Sequence, residues 1–154
     1  MRCWAWLLLL CVSANAEILD IGREGLPIPL TVERVVASPR DRELLRNEFL
    51  RETYVLRKAQ LLEELVSVDP AGSVEILLRS STDPAPVVRG AAARGLGRVE
   101  HSEPCEAALA RMLRDTELEV RCEAARTGAR LALPGLMNSA LSDRDEAVVR
   151  SVLL

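Results

Sequence analysis

With 154 residues, 49% of them apolar, the chain is long enough for one ordinary domain or a short repeat array. Its formal charge of −3 excludes a general field for nucleic acid or anionic lipid. The aromatic residues are Trp4, Trp6, Phe49 and Tyr54 alone, so the core must be built of Leu, Val and Ala, which suits packed helices better than a β-sandwich.

Residues 1–16 have the three parts of a secretory leader. Arg2 gives a positive start, an apolar run extends from Trp4 to Val12, and Ala14-Asn15-Ala16 is a small-x-small cleavage pattern. The run is far shorter than the ~20 residues that span a bilayer, so an uncleaved anchor is the weaker reading. A lipoprotein signal is disfavoured because Leu10 precedes Cys11, where a small residue is wanted. Cleavage makes Glu17 the N-terminus and, by removing Arg2, brings the charge to −4. The expectation is an exported chain, periplasmic or extracellular, with no membrane span. Cys105 and Cys122 then remain, 17 positions apart, which is no metal pattern and too few cysteines for a disulfide scaffold. An oxidising compartment allows them to pair; otherwise they are small buried or half-buried side chains.

Residues 17–37 carry Gly22, Gly25, Pro27 and Pro29 and read as an extended or irregular entry segment. Ser38-Pro39-Arg40-Asp41 is a helix start, with Ser at the cap, Pro first and an acid three residues on. Leu44, Leu45, Phe49, Leu50, Leu56, Leu61, Leu62 and Leu65 continue the pattern, and no Pro or Gly interrupts 41–68. This is one long helix or two with a tight bend near Glu52-Thr53. Phe49 and Tyr54 fall at helical spacing and are expected in the core. Asp69-Pro70 ends the region, because the residue before Pro avoids helical angles.

The chain then repeats. Asp83 to Asp115 is 32 positions, as is Arg89 to Arg121, and a third copy, 143–150, follows 29 positions later at Arg150. A fixed period near 30 marks a stacked solenoid unit. Each unit reads as a helix pair, with first helices at 72–80 and 104–114 and second helices at 86–99 and 118–133. Asp83 and Asp115 sit in the turn between them, where a carboxylate can accept backbone N–H groups. Stepping back 32 from Arg89 reaches Arg57, which makes 38–70 a candidate degenerate capping repeat ahead of repeats at 71–154. Ser151-Val152-Leu153-Leu154 falls inside what should be a second helix, so the last repeat is expected to be incomplete, with an apolar end open to another chain.

An aliphatic residue, a turn Asp, Val-Arg, paired Ala and Leu-Gly together resemble HEAT-like repeats, in the short variety first noted in bilin lyases. The first copy carries the pattern on Leu78, Asp83, Val88-Arg89, Ala91-Ala92 and Leu96-Gly97. The second carries Leu113, Asp115, Val120-Arg121 and Ala124-Ala125, with Gly128 near the place of the Leu. The third has one extra residue before Val149-Arg150. The resemblance covers 74–154 and implies an all-α fold, an α-solenoid of about three helix-turn-helix repeats. It also implies that Asp83, Asp115, Arg89, Arg121 and Arg150 form structural ladders between repeats, and that second helices line a concave side. It says little about function, since such repeats serve many roles.

Of 20 basic residues only Lys58 is a lysine; an Arg preference could serve carboxylate or phosphate binding, but gene base composition is the favoured account. Position is more telling. Counted from Val88 or Val120 at ~100° per residue, the second, sixth and tenth residues on point away from the valine. These are Gly90, Arg94 and Arg98, then Cys122, Arg126 and Arg130. Stacking would set the four arginines in a two-by-two patch, with room left by Gly90 and Cys122, to receive an acidic peptide, a carboxylate or a phosphate-bearing ligand. The alternative is a solvated face balanced by acids such as Glu123.

No catalytic constellation is present. His101 is the one histidine and reads as a surface turn residue. There is no Cys-x-x-Cys-His, no Gly-x-Ser-x-Gly, and Gly95-Leu96-Gly97 lies inside a helix pattern. A bilin lyase activity would rest on analogy alone and sits badly with export. The sequence therefore favours a non-catalytic scaffold for a protein partner, without cofactor or metal. The rivals are a subunit of a larger exported assembly, meeting others through its C-terminal end, and an enzyme or enzyme accessory.

Overall fold

The computed structural model describes residues 38–153, so the predicted leader and entry segment lie outside the described residues. Helix α1 (Pro39–Arg51) opens on a reciprocal cap. The Asp41 N–H donates to Ser38 Oγ at 3.2 Å, and the Ser38 N–H donates to the Asp41 carboxylate at 3.0 Å.

The stretch after Ser38 is two helices. The Glu52 carboxylate accepts the N–H groups of Thr53 and Tyr54, at 2.8 and 2.7 Å, and so breaks the chain ahead of α2 (Val55–Val68). This overturns the expectation of a core Tyr54. Phe49 is buried, but residues 52–54 leave the helical register, and Tyr54 is 65% exposed.

A 3₁₀ turn (Ala71–Ser73) leads into α3 (Val74–Ser80). Next come α4 (Pro86–Leu96), α5 (Glu103–Met112), α6 (Leu118–Arg130), α7 (Pro134–Leu141) and α8 (Glu146–Leu153). Among the described residues these are eight α-helices and no strand. Both long second helices stop about three residues before their sequence patterns do. After α6, Ala132 adopts φ 51°, and the Leu133 N–H reaches Gly128 O at 3.0 Å, a left-handed closing turn just before Pro134 starts α7.

The helices form pairs: α1 with α2, α3 with α4, α5 with α6, α7 with α8. The second helices pack side by side in the order α2, α4, α6, α8, and the first helices α3, α5 and α7 form a more sparsely packed second layer. This is an α-solenoid of HEAT-like helix pairs. Alanines explain the close approach of the second helices: Ala91, Ala92, Ala124 and Ala125 are all buried there. At Gly95 a Cβ would run into the Leu77 side chain, so the missing side chain lets Leu77 of α3 lie close against α4. Leu61, Leu62, Leu65, Leu77, Leu96, Leu109 and Met112 fill the space between layers.

One register in the sequence reading needs correction. Val148, not Val149, is the fully buried counterpart of Val88 and Val120. It lies five residues after Asp143, as Val88 follows Asp83 and Val120 follows Asp115. The third copy therefore has no extra residue before its valine; its spacing from the second is 28 rather than 32. Burial decides this, because a one-residue slip would swing Val148 out of the core by ~100°.

Candidate functional site

The recurring arginines fall into two groups. The first runs along the turns. Asp83, Asp115 and Asp143 each accept the backbone N–H two residues on, from Ala85, Glu117 and Asp145, all at 2.9 Å. Each also accepts a cation from the preceding helix pair. Arg89 forks onto Asp115 with two bonds of 2.7 Å, while its Nη1 donates to Asp83 O and Pro84 O at 2.9 and 3.1 Å. Arg121 repeats the arrangement: Nε donates to Asp143 at 3.1 Å, Nη1 to Asp115 O and Thr116 O at 3.0 and 3.3 Å, and Nη2 to Asp145.

These rungs are electrostatically matched. Its hydrogen bonds to Asp115 push the Arg89 guanidinium above its ordinary value. Burial pushes the Asp115 carboxyl up, but hydrogen bonds from Arg89 and the Glu117 N–H outweigh it and leave it below the usual carboxylate value.

The ladder departs from the sequence reading at its last rung, and its first is made by a lysine. Arg57, one period before Arg89, pairs with Glu48 and Glu64 at 3.0 Å each, and the neighbouring Lys58 reaches Asp83 at 2.6 Å. At the other end Arg150 is not a rung. It pairs with Glu146 of its own helix at 2.7 Å, because the register set by Val148 puts Val149 where Arg89 and Arg121 stand.

The second group lies on the face of the second helices. Arg94, Arg98, Arg126 and Arg130 all line one cleft of about 530 Å³, together with Glu123, Thr127, Ala129, Ser151, Val152 and Leu153. They are not four free guanidiniums. Arg94 reaches Glu63 of α2 at 2.6 Å and Glu123 at 3.5 Å, and Arg126 reaches the same Glu123 oxygen at 2.8 Å. Arg130 Nη2 donates to Arg94 O in the last turn of α4 at 3.3 Å. Arg98 stands exposed just past that helix. Among the described residues no acid pairs with Arg98 or Arg130.

Gly90 and Cys122 line an adjoining cleft of about 400 Å³ with Arg94, Leu118 and Arg126. The disulfide considered from the sequence is absent: both cysteines are free. Cys105 is buried at the start of α5 and accepts a hydrogen bond from Ser102 Oγ at 3.1 Å, while Cys122 is half-buried on the cleft side of α6. His101 is largely exposed, 3.4 Å from Glu106.

Sequence reasoning missed two components of this face. Glu63 lies 31 positions before Arg94, one short of the 32-position period, and that spacing was the available signal. The wall of Val152 and Leu153 had none, because it depends on how α8 stacks on α6. Among the described residues no group of three or more His, Cys, Asp or Glu side chains could hold a metal ion, and no helix is long and apolar enough to cross a membrane.

Comparison with known protein families matches residues 74–154 to HEAT repeats. No curated protein and no solved structure matches the chain.

Proposed function

The chain belongs to the HEAT-repeat family, and on that premise we propose that it is an exported, non-catalytic scaffold that holds an acidic segment of a protein partner on its second-helix face. HEAT repeats commonly mediate protein–protein interaction and are typically non-catalytic. The observation that carries the acidic preference is the cleft between α4, α6 and α8: four arginines line it, and Arg98 and Arg130 have no acidic partner among the described residues. Exposed guanidiniums recognise carboxylates in a planar fork and steer association more than they hold it. The ladder arginines are unavailable for this, since their donors are spent on Asp115, Asp143 and backbone carbonyls.

Export rests on the leader pattern of 1–16, and N-terminal sequencing of the mature protein tests it: a start at Glu17 supports cleavage, and a start at Met1 counts against it. The short-repeat character resembles bilin-lyase repeats, but no lyase activity is carried over with it. The binding reading is tested by capturing a partner with the full chain and with a variant carrying Arg94→Glu, Arg98→Glu, Arg126→Glu and Arg130→Glu. Loss of the same partner supports it; undiminished capture ends it.

A second reading, a subunit of a larger assembly, is favoured by exposed leucines on the outer helix α1, Leu44 and Leu50. Sedimentation separates the two readings, since a clean monomer counts against assembly.

A further inference from the structure

Independently of the arginine cleft, we infer that the cavity between α1, α2 and α3 binds a small monocarboxylate with an aromatic or branched aliphatic body. The first-helix layer opens at this point. Helix α3 packs on α5 and α5 on α7, but α1 makes no comparable contact with α3. Arg46, Phe49 and Leu50 fall at helical spacing on one face of α1, and Glu75, Ile76, Arg79 and Ser80 do so on α3. Two cross-links bracket the gap. Arg46 donates to Gly72 O and pairs with Asp69 at one end, and Lys58 of α2 reaches Asp83 at 2.6 Å at the other. About 320 Å³ is left between them, near the lower end of the ~300–1,000 Å³ range of small-molecule clefts.

The cavity has donors to spare. Ser80 lines it and is only 4% exposed, yet among the described residues its hydroxyl has no hydrogen-bond partner. A buried hydroxyl is ordinarily satisfied, so one left open on a cavity marks a place for an acceptor. Lys58 spends one donor on Asp83 and stands 5.6 Å from the centre of the Phe49 ring, which leaves donors unspent. Ser80 and Lys58 meet at Asp83, whose N–H donates to Ser80 O at 3.1 Å while its carboxylate holds the ammonium. Asp83 is itself satisfied, with Lys58 on one oxygen and the Ala85 N–H on the other. Arg79, beside Ser80, is exposed and has no acid partner among the described residues. Arg46, Lys58 and Arg79 thus face Glu75 and Asp83, an excess of one positive charge that suits a monoanion. The apolar wall is Phe49, which is buried, with Ile76 half-buried. A bare anion would leave that wall unfilled, and a neutral apolar molecule would leave the Ser80 and Lys58 donors unmet.

Amide spectra of the full chain test this by titration with hydrocinnamate, with hydrocinnamyl alcohol and with acetate. Hydrocinnamate is expected to move the amides of 46–50, Lys58 and 75–83, and to bind about tenfold tighter than the alcohol or acetate. Ser80→Ala should weaken it about fivefold and leave the urea midpoint unchanged, because the hydroxyl removed bonds to nothing in the chain. Equal binding of the alcohol or of acetate overturns the inference, as does an unaffected Ser80→Ala variant or the absence of binding. Shifts confined to α4, α6 and α8 would place the carboxylate in the arginine cleft and also overturn it. None of these outcomes bears on partner capture by the four-arginine face.

Discussion

Arg89 and Arg94 sit five residues apart on one helix, as do Arg121 and Arg126 on another, yet the two pairs live in opposite surroundings. Five residues at ~100° each leave side chains ~140° apart around the helix. The turn-side pair, Arg89 and Arg121, is 13% and 5% exposed and donates to both carboxylates and backbone carbonyls. The face-side pair, Arg94 and Arg126, is 40% and 50% exposed and meets carboxylates alone. A buried guanidinium is tolerable only when its donors are satisfied, and removing its partner is costly. An exposed one gains little from its pair and can exchange it for a ligand's carboxylate. The same residue type, at the same period, is therefore locked between repeats on one side and held in exposed, exchangeable pairs on the other.

Arg121→Met should break the comparison most severely. It leaves Asp143 and the carbonyls of Asp115 and Thr116 without their cation in a buried place, and a loss of about 3–5 kcal/mol in urea unfolding is expected. Asp115→Asn should cost about 1–3 kcal/mol at neutral pH by removing a charged acceptor. It also carries a pH signature. The folded Asp115 carboxyl lies below its ordinary ~3.9, so its stabilising contribution is present above that pH and is lost as pH falls through the folded value. The Asn variant should lack that part of the acid-induced fall when stability is followed from pH 6 to pH 2.

Arg89→Lys turns a forked rung into the single-bond kind that Lys58 makes with Asp83, and should cost about 1 kcal/mol. Arg150→Ala, off the ladder and paired only within α8, should stay within about 0.5 kcal/mol of the native chain. A loss as large as that from Arg121→Met would mean that the ladder continues where Val149 interrupts it.

The fold was legible because its signal is long. Turn aspartates and Val-Arg pairs recur at 32 positions, and a helical period runs through 41–68 without a breaker. The errors came where a short motif outvoted spacing. The Val149-Arg150 pair looked like the motif, but the distance from the turn Asp to the buried valine is constant at five, and it selects Val148. Arg57 does stand one period before Arg89, as the degenerate first repeat requires, but the side chain that meets Asp83 is its neighbour Lys58. At the cleft, helical geometry alone put the four arginines on the side away from the valines. What it could not carry were their partners, Glu63 from another helix pair and the Val152-Leu153 wall, because both depend on how helices distant in sequence stack.

The division between locked and exposed arginines is tested most directly by one urea titration of two matched variants. Arg89→Gln with Arg121→Gln is compared against Arg94→Gln with Arg126→Gln, which alter the same residue type at the same period on the same two helices. The expected result is a loss of several kcal/mol for the turn-side variant and under about 1 kcal/mol for the face-side one. Equal losses, or a larger loss from the face-side variant, would contradict it.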